Sequence, residues 1–150
     1  DHTIIGRNSR LDTIQSAILS LRLPHYRKAL KKRNLIAKLY EKKLREITEL
    51  KIPNTNKGSY HAYHQYVIRT NRRNELREYL TQEKIDTMIH YPYMLSELKI
   101  FKTASGIKNL KNSINLGKKI LSLPISEEHS IQEINFVIKK IKMFFSKNRT

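Results

Sequence analysis

At 150 residues the chain can bury a core as one domain or as part of a larger protein, and 39% hydrophobic with 29% charged residues fits a soluble globular fold rather than disorder. No apolar run approaches the ~20 residues needed to cross a bilayer, and the absence of Cys excludes disulfides and thiolate metal sites while fitting a reducing, cytoplasmic setting. A net charge of +17 raises the question of a nucleic-acid partner.

In chain order, a polar segment, Gly6-Arg7-Asn8-Ser9-Arg10, leads into an amphipathic run. Asp12 is placed to cap a helix over Thr13 to Leu23, with Ile14, Ala17, Ile18 and Leu21 as its buried face. Pro24 breaks or restarts the helix. A longer helix is expected from His25 to about Leu50, with Leu30, Ile36, Ala37, Tyr40, Leu44 and Ile47 as its apolar seam. Residues 22–45 carry ten Lys or Arg against one acid, Glu41, but at many helical angles rather than on one stripe. With no Gly-x-x-Gly clamp, zinc spacing or aromatic RNP pattern, a solvated surface is the plainer reading and no nucleic-acid partner is expected.

Pro53 to Ser59 reads as a loop. Tyr60 to Thr70 reads as a strand, Asn71 to Lys84 as a helix through Leu76, Tyr79 and Leu80, and Ile85 to Tyr91 as a second strand ended by Pro92. A looser, partly helical stretch follows to about Gly106. Then come a helix from Asn109 to Ile120, a short extended piece Leu121-Ser122-Leu123-Pro124, and a closing helix from Ser130 to Phe145. This alternation predicts an α/β (α+β) class, with helices layered on one small sheet.

Three polar clusters could carry chemistry. Asn8, Ser9 and Arg10 offer an amide, a hydroxyl and a planar guanidinium, or simply a helix cap and a surface ion pair. In His61-Ala62-Tyr63-His64-Gln65-Tyr66, strand alternation puts His61 and Tyr63 on one face and His64 and Tyr66 on the other; they are ligand contacts or edge histidines bonded to backbone. His90-Tyr91-Pro92 lies at an expected strand end, a common place for ligand contacts, although His90 could equally be a core histidine. Six His without a tight acidic set give no metal site. No Gly-x-Ser-x-Gly elbow supports a catalytic triad, and Gly is too scarce for a phosphate-cradling loop.

Taken in order, Gly6-x-Asn8-Ser9-Arg10-Leu11-Asp12-x-Ile14-Gln15-x-Ala17-Ile18-Leu19, His61-x-Tyr63-His64-x-Tyr66-Val67-Ile68-Arg69, Ile89-His90-Tyr91-Pro92 and Leu121-Ser122-Leu123-Pro124 resemble the sugar aminotransferases of the DegT/DnrJ/StrS type. The resemblance implies the C-terminal part of a fold-type I, pyridoxal 5'-phosphate-dependent enzyme. Residues 1–50 would be linking helices ending the large domain, and residues 51–150 the C-terminal small domain. It implies transfer of an amino group, usually from glutamate, to a nucleotide-linked keto-sugar in amino-sugar and surface-polysaccharide biosynthesis. It further implies a homodimer in which Asn8 contacts the cofactor phosphate of the other subunit. Arg10 would hold substrate carboxylate or phosphate, and His90 and Tyr91 would line the sugar pocket.

The family's Schiff-base Lys is expected upstream of Asp1, so this chain alone is not expected to transaminate. Ser113 to Lys118 repeats the family's Ser-to-Lys spacing without its His-Pro context. Met94 and Ser96 stand where the family often has a second Pro and a second His, and Arg7 where an apolar or aromatic residue is common. A catalytically inactive basic binding module and a decayed remnant of the same fold are the competing readings.

Overall fold

The computed structural model describes residues 4, 6–56, 58–101 and 110–146. Helix α1 spans Thr13–Arg22, a 3-10 turn Leu23–His25 carries Pro24, and α2 spans Tyr26–Leu44. Strand β1 (Tyr66–Arg69) is followed by α3 (Arg73–Gln82), 3-10 turns at Leu95–Glu97 and Lys99–Phe101, α4 (Lys111–Gly117), β2 (Ile120–Leu123) and α5 (Ile131–Ser146).

Asp12 caps α1 as expected: its Oδ1 accepts the Gln15 N–H at 2.8 Å, and Gln15 Oε1 accepts the Leu11 N–H at 2.8 Å. The expected buried face of α1 is a correction, because no residue of this helix is buried. Ile14, Ile18 and Leu21 are 75%, 52% and 77% exposed. Their spacing makes a true apolar face, yet nothing among the described residues covers it.

The core forms where α2, α3 and α5 pack on one face of the sheet. Ile36, Ala37, Tyr40 and Leu44 of α2 meet Leu76 and Leu80 of α3, and Ile134, Val137, Ile138, Ile141, Phe144 and Phe145 of α5. Tyr66, Ile68, Leu121 and Leu123 supply the sheet side, alternating with Val67 and Ser122 on the other face. Tyr40 lies fully inside, its ring 4.9 Å from that of Tyr66 and its hydroxyl donating to the Pro124 carbonyl at 2.9 Å. Burial pushes both tyrosine hydroxyls well above their ordinary pKa. Ser130 and Glu133 start α5 with a reciprocal cap, the Glu133 N–H reaching Ser130 Oγ at 3.1 Å and Glu133 Oε2 accepting the Ser130 N–H at 2.7 Å.

Several element bounds differ from the expectation. The long helix ends at Leu44, not near Leu50. Ile47 and Leu50 stay buried because successive three-residue turns, Ile47 N–H to Leu44 O and Leu50 N–H to Ile47 O, each 3.1 Å, keep a near-helical apolar spacing. The strand expected over Tyr60 to Thr70 is confined to Tyr66–Arg69, antiparallel to β2 with Tyr66 opposite Leu123 and Arg69 opposite Ile120. The strand expected over Ile85 to Tyr91 contributes one isolated pairing, Met88 with Ser122, and Lys51 likewise pairs with Arg69 on the opposite edge. A single pair makes no ladder, so two strands stand among the described residues where three were expected. The helix expected from Asn109 to Ile120 is Lys111–Gly117; Asn109 and Gly106 lie outside the described residues.

Candidate functional site

Asn8 and Arg10 sit in the exposed segment before α1. Arg10 Nε donates to Asn8 Oδ1 at 2.9 Å. That bond takes the amide oxygen, so the amide NH2 is the group Asn8 has left to offer, alongside the remaining N–H donors of the guanidinium. Arg10 has no carboxylate partner among the described residues, so the surface ion pair is not formed. The arrangement is a small set of outward donors suited to a phosphate or carboxylate.

The second cluster is not a strand. Residues 61–65 are irregular, Tyr63 has a positive φ of 45°, and its N–H donates to His61 Nδ1 at 2.8 Å. The expected alternation of His61 and Tyr63 against His64 and Tyr66 therefore does not hold. Side chain–backbone bonding wins here: Asn34 Nδ2 donates to the His61 carbonyl at 3.0 Å. Arg33 Nη1 donates to the carbonyls of Tyr63 and His64 at 3.3 and 3.4 Å. Arg33 also grips Glu127 Oε2 through Nε at 2.9 Å and Nη2 at 2.8 Å, while Arg22 lies 3.6 Å from Oε1. Backbone hydrogen bonding at Glu127 first, and Arg33 after it, hold this carboxyl below its usual pKa. One cation of the basic run thus ties α2 to two distant loops.

Of the third cluster, His90 lines a cavity of about 530 Å³ at the edge of the sheet, whereas Tyr91 and Pro92 are not among its lining residues. The segment Lys84 to Met88 forms one wall, Ser122 to Ile125 the floor, and the first turns of α5 the other wall. Ile85, Leu123, Ile134 and Val137 make it largely apolar, and His64, His90, His129 and Glu133 bring polar groups to it. His90 is half-buried, with Nδ1 2.8 Å from Ser122 Oγ and its ring edge-on to Tyr91 at 5.7 Å. Tyr91 is 69% exposed. Met94 lies against Gly117, where a side-chain Cβ would meet its Cε at 2.8 Å. Ser96 Oγ is buried without a partner among the described residues.

No hydrogen bond or ion pair joins Asn8 or Arg10 to His90 or Tyr91 among the described residues. The chain therefore presents two separate groups, an exposed amide–guanidinium pair before α1 and a histidine-bearing cavity at the sheet edge. No cluster of three or more His, Cys, Asp or Glu among the described residues could hold a metal ion. No described helix is long and apolar enough to cross a membrane. Sequence reasoning passed over Ser122, Arg33, Lys84 and the wall from α5. The alternation Leu121-Ser122-Leu123 carried a usable signal for Ser122, since it sets the hydroxyl on the face away from the core.

The profile of the DegT/DnrJ/EryC1/StrS aminotransferase family matches residues 1–142. A pleiotropic regulatory protein of Geobacillus stearothermophilus is 36% identical over 148 residues, covering 96% of this chain and 40% of that protein. A dTDP-3-amino-3,4,6-trideoxy-alpha-D-glucose transaminase of Streptomyces venezuelae is 33% identical over 125 residues, 83% of this chain and 33% of its own length. Among solved structures, S. venezuelae DesV, in complex with a ketimine intermediate, superposes with a TM-score of 0.85 at 28% identity, over 100% of this chain and 40% of that one. The family is pyridoxal phosphate-dependent, and solved neighbours include forms with PLP and with PMP. The chain spans about 40% of the length of relatives such as the Geobacillus protein.

Proposed function

The chain belongs to the DegT/DnrJ/EryC1/StrS aminotransferase family, and from that premise we propose that it supplies the C-terminal part of an enzyme that aminates a nucleotide-linked keto-sugar. Glutamate is the proposed amino donor, amino-sugar and surface-polysaccharide biosynthesis the proposed setting, and the cytoplasm the proposed location. Residues 1–50 serve as linking helices and residues 51–150 as the small domain. The Schiff-base Lys is supplied from outside residues 1–150. When bound, pyridoxal phosphate contributes an electron sink for nitrogen transfer.

The residues before α1 fit that group. The observation that carries the reading is the Arg10–Asn8 bond at 2.9 Å, which leaves the Asn8 amide hydrogens free on an exposed segment with no acid to occupy them. Asn8 donates to the cofactor phosphate held by the other subunit of a homodimer. Arg10 orients the amide and neutralises phosphate or substrate carboxylate beside it. The exposed apolar face of α1 supports a subunit contact at the same place, because a helix with Ile14, Ile18 and Leu21 outward is an unfinished interface. His90 and Tyr91 hold sugar hydroxyls, His90 through the ring nitrogen that Ser122 does not engage.

The test is cofactor retention in the complete enzyme. Asn8→Ala is expected to weaken pyridoxal phosphate binding about tenfold, the loss of one charge-assisted hydrogen bond. Unchanged cofactor affinity would remove Asn8 from the site and leave the dimer-spanning reading without its anchor.

A second reading, a basic binding module without transaminase chemistry, draws on α2. Arg27, Lys28, Lys31, Lys38 and Lys42 are exposed, and the helix's one acid, Glu41, is taken by Arg45. DNA affinity that falls steeply with salt, beyond that of a protein of matched charge, would favour it.

A further inference from the structure

Ser122 is one of two buried polar residues among the described residues, at 7% exposure, on the sheet face away from the core. Its place is fixed by backbone on both edges of β2. It lies opposite Val67 of β1 on one side. On the other side it exchanges two hydrogen bonds with Met88, its own N–H to the Met88 carbonyl at 2.7 Å and the Met88 N–H to its carbonyl at 3.2 Å. Residues paired in this way carry side chains on the same face, and the residue two positions along is a diagonal neighbour within reach of a long side chain. That residue is His90, and the ring arrives with Nδ1 2.8 Å from Ser122 Oγ.

The hydroxyl has no other hydrogen-bond partner among the described residues. A buried hydroxyl left unpaired is costly, so the ring and the hydroxyl satisfy each other. The hydroxyl has a proton to place and no other acceptor among the described residues, so it donates to Nδ1 and the proton of the neutral ring sits on Nε2. An imidazole tied at one nitrogen has a defined tautomer and a defined ring plane, and presents its other nitrogen alone. Both residues line the same cavity, so the tie is made at its wall rather than in the sealed core.

We propose that Ser122 is the positioning residue of His90: its hydroxyl engages Nδ1, fixes ring orientation and tautomer, and leaves Nε2 as the atom offered to a ligand hydroxyl in the cavity. Only the last clause rests on the reading of His90 as a sugar contact. Ser122 itself touches no reacting atom and acts through the ring.

The experiment reads the imidazole directly. In the 15N-labelled 150-residue chain, at a pH where the ring is neutral, long-range 1H–15N correlation distinguishes the two tautomers. His90 is expected in a single tautomer, retained in Ser122→Thr, whose branched hydroxyl side chain suits a strand. Ser122→Ala is expected to give a mixture at His90 with the other histidine signals unmoved. A single unchanged tautomer in Ser122→Ala overturns the proposal. Should Ser122→Ala fail to fold, the unmutated chain decides alone, because a tautomer mixture at His90 there overturns it equally.

In the complete enzyme, Ser122→Ala is expected to raise KM for the keto-sugar about tenfold. The donor half of the reaction should be unaffected, and Ser122→Thr should restore KM. A locked His90 whose release leaves that KM unchanged would refute the substrate role of His90 while the positioning stands. An unlocked His90 in an enzyme that still depends on His90→Ala for its KM would refute the positioning and spare the substrate role.

Discussion

Replacing Arg33 with Met removes the guanidinium while keeping an aliphatic stem of similar reach, which isolates the polar contribution. Two bonds to one Glu127 oxygen, at 2.9 and 2.8 Å, are charge-assisted, and two long contacts at 3.3 and 3.4 Å hold the carbonyls of Tyr63 and His64. A hydrogen bond to a charged group contributes about 1.5–3 kcal/mol when well made. Here both partners are about one-fifth exposed, 22% for Arg33 and 21% for Glu127, so solvent screening brings the two bonds together down to about the value of a single one. The expected loss is about 2 kcal/mol, and with a urea dependence of roughly 2 kcal/mol per molar the midpoint should fall by about 1 M.

The same contact sets an acid limit. The Glu127 carboxyl sits below its unfolded value of 4.5. Between the folded and the unfolded pKa the unfolded chain binds more protons, so stability rises with pH there. The contribution is full above 4.5 and fades as pH falls through the folded pKa. Arg33→Met should therefore flatten the acid limb of the stability–pH curve in part, because the backbone hydrogen bond at Glu127, the larger cause of the shift, remains, and should leave its neutral shape alone. Equilibrium urea unfolding followed by circular dichroism, at neutral pH and down the acid limb, measures both. A midpoint shift under about 0.3 M, or an acid limb as steep as in the unmutated chain, would show that the network is ornamental and that the loop at His64 is held by other means.

Three further outcomes are expected. The chain of residues 1–150, mixed with pyridoxal phosphate, should develop no absorbance band near ~420 nm that depends on a single Lys, because the Schiff-base Lys is proposed to lie outside residues 1–150; a stable band abolished by one Lys substitution would contradict this. Lys84 holds a left-handed φ of 60° just after α3, where Gly is normally favoured, so Lys84→Gly should stabilise by about 0.5–1 kcal/mol and raise Tm by about 2–4 °C in thermal unfolding; a lower Tm would mean the lysine side chain outweighs its backbone cost. Ile18→Glu on the outer face of α1 should cost under about 0.5 kcal/mol in the 150-residue chain, yet weaken subunit association of the complete enzyme measured by sedimentation, and intact association would dismiss α1 as a contact.

What could be read from the sequence is what local chemistry and regular spacing control. Asp12 caps because a short carboxylate precedes an apolar run, and the seams of α2, α3 and α5 follow from side-chain period alone. Ile47 and Leu50 misled because three-residue turns nearly reproduce helical spacing, so burial continued after the helix had stopped. The stretch from Ile85 to Tyr91 has strand-like residues, but a strand is defined by its neighbour, and only Met88 finds one. Arg33 was one cation among ten in its region; its partner Glu127 lies 94 residues away, a distance no periodicity reaches.

The misjudged burial of α1 is the most informative of these differences. An amphipathic period reports that a face will be covered, and is silent on what covers it. In α2, α3 and α5 the cover comes from within the chain. In α1, one turn beyond Asn8 and Arg10, none comes from the described residues: Ile14, Ile18 and Leu21 stay outward beside an amide and a guanidinium that bond to each other and to no anion among the described residues. Two different kinds of incompleteness, apolar area without cover and polar donors without an acceptor, fall on one short segment. A surface evolved for solvent would show neither, since exposed helices of that kind carry charge where α1 carries Ile and Leu. The physical account common to both is the proposed one, in which the segment would complete a site across an interface, with the apolar face fixing its position and the polar pair meeting an anion there.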